Sequence, residues 1–252
     1  MKLRSSLACV VTVSCLCVAS PAFAQAPITT APDPNAFSSL IKTTISDFRR
    51  LPSNENLMWL TLGGSVAAIG QTKDWDVTNG FSASRRAGGM FKPGETIGGA
   101  RAQMGAALAT YAVGRFSGKT RVATVGADLI RAQIVAQTMT AGIKFAARRG
   151  RPDGGQFSFP SGHTSVTFAT ATVMQRHFGW KAGIPSYALA SYVAASRVQA
   201  KRHFFSDVAF GAAVGMVAGR TVTVGHGRAR FAVSPAVSTE HAGVSFVLLD
   251  KR

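Results

Sequence analysis

The sequence predicts an all-α fold, a bundle of about six helices with its polar residues gathered at helix ends, followed by a short C-terminal β-hairpin. Three observations carry this reading. Apolar residues recur at spacings of three to five over several long stretches, as at Ile130, Ile134, Met139 and Ile143. Breakers interrupt the pattern between stretches, at Pro52-Ser53 and at Gly150, Pro152, Gly154 and Gly155. Alternation at period two is confined to the tail, where Phe231 and Val233, then Val244, Phe246 and Leu248, flank breakers at Ser234-Pro235 and Ala242-Gly243.

Taken in chain order, residues 1–24 read as an export signal. Lys2 and Arg4 open it, Leu7 to Ser20 is apolar, and Ala22-Phe23-Ala24 is a small-x-small cleavage site before Gln25. Cys9, Cys15 and Cys17 all lie in this segment, so the exported chain has no thiol for a disulfide or a thiolate metal site. No Leu-small-small run precedes any of them, which argues against a lipoprotein signal. Residues 25–35, with Pro27, Pro32 and Pro34, read as a flexible leader. Residues 36–222 form the helical domain and 223–252 the hairpin extension.

Within the domain a first helix begins near Ala36. Pro52 ends it and Ser53 caps a second. The stretch 71–94, rich in Gly, Asp, Lys and Ser with Trp75, Phe81 and Phe91, reads as a long irregular connection of the kind that forms lids and rims. Helical patterns resume over Thr96 to Phe116, Val122 to Ala147, Ser161 to Phe178, Ile184 to Ser196 and Phe204 to Val222.

With 46% apolar and 15% charged residues among 252, the chain can bury one good core. Its formal charge of +17, of which Lys2 and Arg4 leave with the signal, predicts attraction to phosphates or anionic lipid. The basic residues are dispersed rather than interleaved with aromatics, and an export signal makes nucleic acid an unsuitable partner. The longest later apolar stretches, Leu57 to Ile69 and Val208 to Gly219, fall short of the ~20 residues a membrane span needs. A periplasmic protein, soluble or in peripheral contact with an anionic membrane, is therefore expected. Its oligomeric state is not legible.

Three polar clusters stand at helix ends. Lys144 and Arg151-Pro152 are separated by six residues, Pro160-Ser161-Gly162-His163 opens a helix, and Ser196-Arg197 is followed by His203 and then Asp207. Singly, each has an ordinary explanation: a helix-dipole partner, a cap, a surface pair at i and i+4. Eleven specified residues at fixed spacings are not explained that way. The chemistry suits a phosphoryl group, whose transition state spreads charge over three equatorial oxygens and is stabilised by fixed donors. Lys144, Arg151 and Arg197 can supply that cage. The Ser161 and Gly162 amides, in a turn at a helix N-terminus, add an anion site. A neutral His203 is a competent nucleophile if Asp207 accepts its Nδ1 proton, and His163 can act as acid and then base.

The three clusters resemble the signature K-x6-R-P, P-S-G-H and S-R-x5-H-x3-D of the type 2 phosphatidic acid phosphatase (PAP2) and vanadium haloperoxidase superfamily, over about residues 96–222. The resemblance implies a phosphatase acting on phosphomonoesters or pyrophosphates, lipid phosphates among them, through a phosphohistidine on His203. Asp207 is then its partner, His163 the acid/base, and Lys144, Arg151, Ser161, Gly162 and Arg197 the phosphate ligands. It implies no metal and no cofactor, although vanadate can mimic the phosphate. A vanadate-dependent haloperoxidase and a non-specific acid phosphatase for small soluble esters are the alternatives. His177, His226 and His241 lie outside the clusters and are expected at the surface or in structural roles, Ser161 lacks the elbow of a hydrolase nucleophile, and Arg148 and Arg149 are expected to add only a general positive field.

Overall fold

The computed structural model describes residues 36–83, 85–224, 230–237 and 242–249. The expected signal and leader lie outside the described residues. Ten helices occur among them: α1 (Ala36–Arg50), α2 (Asn54–Gln71), α3 (Asp74–Ser82), α4 (Arg85–Phe91), α5 (Pro93–Ile97), α6 (Ala100–Phe116), α7 (Thr120–Ala147), α8 (Gly162–Phe178), α9 (Trp180–Gln199) and α10 (Phe205–Val222). In the tail, β1 (Arg230–Val237) pairs antiparallel with β2 (Ala242–Leu249), Arg230 opposite Leu249 and Val237 opposite Ala242.

Two expectations are corrected. The stretch 71–94 is not an irregular connection but is largely helical, carrying α3, α4 and the start of α5. Gly94, and Gly98 just beyond the stretch, are packing surfaces. A Cβ on Gly94 would stand 2.5 Å from Ser196 Oγ, and one on Gly98 2.3 Å from Val193 Cγ1, so α5 lies directly against α9. Helix α9 also begins at Trp180 rather than Ile184 and carries Pro185. Proline near a helix start interrupts little of the hydrogen-bond ladder, which is why the helix continues through it.

The core is built from small side chains: Ala132, Val135 and Ala136 of α7, Ala169 and Val173 of α8, Ala218 and Val222 of α10. Small residues let helix axes approach closely. Helix α10 carries Gly211, Gly215 and Gly219, four residues apart and hence on one face. Cβ atoms there would lie 2.8 Å from Ser161 O, 2.3 Å from Ser165 O and 2.6 Å from Thr172 Cβ. The face is pressed against the α8 backbone, and this contact sets the start of α10 beside the start of α8.

At the far end of the bundle, buried Arg131 binds Asp47, Asp128 and the Val222 carbonyl, and His177 Nε2 lies 2.8 Å from Asp128 Oδ2. His177 is thus a structural residue that ties α8 to α7. Asn56 of α2 reaches Thr221 of α10 at 2.9 Å.

Candidate active site

Each helix end that carries a predicted residue is shaped by a local signal. Helix α7 ends with Arg148 as a left-handed cap at φ 47°. The chain then doubles back, with Arg151 N donating to Gly155 O and Ser158 N to Arg149 O. Ser161 caps α8 by accepting from Thr164 N at 3.4 Å. Between α9 and α10 the Arg197 carbonyl accepts from both Arg202 N and His203 N, a tight turn that swings His203 back over the end of α9.

His203 and Asp207 come together. His203 is 4% exposed, Asp207 fully buried, and His203 Nδ1 stands 3.5 Å from Asp207 Oδ2, slightly beyond a formed hydrogen bond. Burial is the largest influence on Asp207 and would raise its pKa. The neighbouring His203 imidazole, with hydrogen bonds from Ser158 and the Phe204 amide, outweighs burial and holds the carboxyl below its usual range. Burial lowers the His203 pKa, against the pull of Asp207 and with help from the positive charges of Lys144 and Arg151. Burial thus favours the neutral form of the imidazole.

His163 faces the same space. Burial, Arg197 and His203 together lower its pKa to about 4. Burial and then Arg151 lower Lys144 to about 8. Lys144 Nζ donates to Phe157 O at 2.6 Å and Ser158 O at 3.2 Å, which leaves one of its three donors. Arg151 Nε donates to Gln156 O at 3.0 Å, so its two terminal amino groups remain as a fork. Arg197 is 3% exposed, yet its Nε and Nη1 make no hydrogen bond, and Glu95 Oε1 stands 3.7 Å from Nη1. Buried guanidinium donors without acceptors are uncommon and mark a place built for an anion.

The turn at 160–163 differs from expectation in one respect. The Ser161 amide is not available to a ligand, because it donates to Asp207 O at 3.0 Å. Ser161 is fully buried and its Oγ also accepts from Thr164 Oγ1 at 3.0 Å. Gly162, the first residue of α8, keeps an N–H that the helix cannot use.

Sequence reasoning missed four residues and misjudged a fifth. Arg149 is not general positive field. Its Nη1 donates to Asp207 Oδ1 at 2.8 Å and Ser206 Oγ at 2.6 Å, its Nη2 to Asp74 Oδ2 at 2.7 Å, and its guanidinium lies 4.5 Å from the Phe204 ring centroid. Ser158 donates to Asp207 Oδ2. Asp74 accepts from Ser206 N at 2.9 Å, and Glu95 meets Arg197. The signal for Arg149 was its place between Lys144 and Arg151. Asp74, seventy residues before Lys144, the first residue of the three clusters, had no local signal.

Residues 136–231 match the family model of the PAP2 superfamily. A lipid A 1-phosphatase of Porphyromonas gingivalis is 41% identical over 80 residues, 30% of this chain and 18% of that protein. A decaprenylphosphoryl-5-phosphoribose phosphatase of Mycobacterium tuberculosis is 37% identical over 107 residues, 38% of this chain and 59% of its own length. The chain thus spans less than two thirds of either relative. The crystal structure of a transmembrane PAP2 type phosphatidylglycerolphosphate phosphatase from Bacillus subtilis shares the fold, with a TM-score of 0.50 at 18% identity over 75% of this chain and 95% of that one.

Proposed function

We propose that the chain hydrolyses phosphate esters, lipid phosphates in particular, through a phosphohistidine on His203 and without a metal. The observation that carries this is the buried edge of Arg197, whose Nε and Nη1 make no hydrogen bond, among the same groups as a His203 backed by Asp207. Lys144, Arg151, Arg197 and the Gly162 amide hold the phosphoryl oxygens. His203 Nε2 attacks phosphorus while Nδ1–H points at Asp207, the P–O ester bond breaks, and the departing oxygen takes a proton from His163. Neutral His163 then removes a proton from water, the hydroxide attacks phosphorus, the P–N bond breaks, and His203 returns to its neutral form. Ser161 supports this site by capping α8 and fixing the turn.

The preference for lipid substrates rests on two features beside the names of the relatives. A cavity of about 410 Å³ between α3, α8, α9 and α10 is lined by Val77, Phe81, Phe168, Val198, Phe205 and Val208. Val198, Phe205 and Val208 are sequence neighbours of Arg197, His203 and Asp207, so apolar wall and polar site share their helix ends. Among the described residues no helix is long and apolar enough to cross a membrane. Met58, Leu62, Val66 and Ile69 nevertheless form an exposed stripe along α2, suited to peripheral contact with an anionic bilayer. The signal-like sequence of residues 1–24 supports an activity outside the cytoplasm.

Purified protein in EDTA, given phosphatidate, an isoprenoid pyrophosphate and p-nitrophenyl phosphate side by side, should release phosphate fastest from a lipid. His203→Ala should abolish release and His163→Ala should lose the phosphorylated intermediate's turnover. Normal turnover by His203→Ala would overturn the mechanism, and a faster rate on the soluble ester would overturn the substrate class.

A further inference from the structure

Behind Asp207, on the side away from the substrate, lies a second buried carboxylate that the mechanism above does not use. Asp74, 2% exposed in the first turn of α3, accepts from Arg149 Nη2 at 2.7 Å, Ser206 N at 2.9 Å and Ser206 Oγ at 2.5 Å. Arg149 spans the gap to Asp207, so one guanidinium is shared by two carboxylates. A buried carboxylate is costly unless charge and hydrogen bonds compensate it. Here the hydrogen bonds are complete, and the single guanidinium of Arg149 faces two carboxylates. The group beside them whose charge changes during the proposed reaction is His203, which becomes cationic once phosphorylated.

We infer that Asp74 and Arg149 are positioning residues for the phosphatase reaction, Arg149 fixing the Asp207 carboxylate behind His203 and Asp74 supplying the negative charge that the cationic phosphohistidine requires. This rests on the reading of His203 as nucleophile. It gives the stretch 71–94 a reason to be helical, since α3 delivers Asp74 to the start of α10 through Ser206. It also explains why Arg149 stacks on Phe204, which fixes the guanidinium in the plane that both carboxylates need. His203 is faced by Asp207 on α10, Lys144 on α7, Arg151 in the following loop and His163 on α8, and Arg149 and Asp74 act on it only through Asp207.

The two residues should therefore shift His203 in opposite directions. Arg149→Gln leaves the two carboxylates uncompensated, draws the imidazole toward its charged form and raises the midpoint of its titration. Asp74→Asn leaves Arg149's charge entirely to Asp207 and lowers that midpoint. The readout is histidine ¹⁵N NMR of the intact protein, with the His203 signal assigned by its absence in His203→Ala. Both variants should lose about ten- to a hundredfold in kcat with KM within about threefold, and Arg149→Lys should recover part of the loss. Circular dichroism confirms folding, and Asp74→Ser, which also removes the charge, serves if Asp74→Asn does not fold. Shifts of the same sign, or no shift in a folded variant, would overturn the inference. Because NMR needs no turnover, that failure is distinguishable from failure of the nucleophile, which shows instead as an active His203→Ala.

Discussion

The main-chain N–H of Ser161 donates to the carbonyl of Asp207 at 3.0 Å, so the turn that carries His163 is hydrogen bonded directly to the residue that backs His203. The spacing between the two histidines is thereby set by backbone rather than by flexible side chains. Gly211 makes the contact achievable, because a Cβ there would stand 2.8 Å from Ser161 O and 3.3 Å from Ser161 N. Gly211→Ala should lower kcat/KM by about a hundredfold, as expected for a displacement near 1 Å at the reacting centre, and destabilise by about 1–3 kcal/mol. Gly105→Ala, on α6 with open space around it, is the control and should leave both unchanged. Steady-state kinetics beside urea melts checks the pair, and an active Gly211→Ala would show that the contact does not govern geometry.

Lys144 is held to about 8 by burial and then by Arg151. A lysine whose pKa is depressed loses its charge as pH rises through that value, and with it the attraction for a phosphate. The profile of kcat/KM, which reports the free enzyme, should fall above about pH 8. In Lys144→Arg the falling limb should move up by more than one pH unit, since arginine keeps its proton throughout. An unchanged limb in that variant would assign the titration to another group.

For His163 the free site sets a pKa of about 4, from burial first and then from Arg197 and His203. A bound dianion offsets those positive charges and raises the value, so anion binding near pH 6 should take up a proton. Sulfate is the suitable probe because it does not titrate there itself. Calorimetry in two buffers of different ionisation enthalpy should show uptake of a fraction of a proton in wild type and clearly less in His163→Gln. Equal heats in the two buffers would mean that His163 does not protonate on anion binding.

The parts of this site that were legible in the sequence are those whose spacing is local. His203 and Asp207 lie one turn apart at the entry to α10, and Ser161 and His163 fall in the cap and first turn of α8, so a linear reading recovers their geometry. Asp74 depends on which helix α3 rests against, a tertiary fact without periodic trace. The composition of 71–94 misled for a related reason: Gly94 and Gly98 look like turn residues, yet they are the spaces into which Ser196 and Val193 fit. Arg149 reads in the sequence as general positive field, because a cation beside other basic residues needs no specific partner. Its second carboxylate partner is visible only after folding.

Arg131 provides the corresponding test away from the chemistry. It lies thirteen residues before Lys144 on α7, about 20 Å along the helix axis. There it compensates Asp47 and Asp128, and removing one partner of a buried charge cluster costs about 3–5 kcal/mol. Arg131→Met should therefore lower stability by about that much while kcat/KM per folded molecule stays within about twofold. The loss should depend on pH. Burial raises the Asp47 pKa even in the presence of Arg131, whose charge opposes the shift. Without Arg131 the value rises further, and a carboxyl with a raised folded-state pKa contributes stability at low pH that is lost as pH rises through that value. Urea melts should thus find the variant less destabilised at pH 5 than at pH 7.5, and the double variant with Asp47→Asn should recover part of the loss at pH 7.5. A penalty equal at both pH values would mean that Asp47 remains ionised without its arginine.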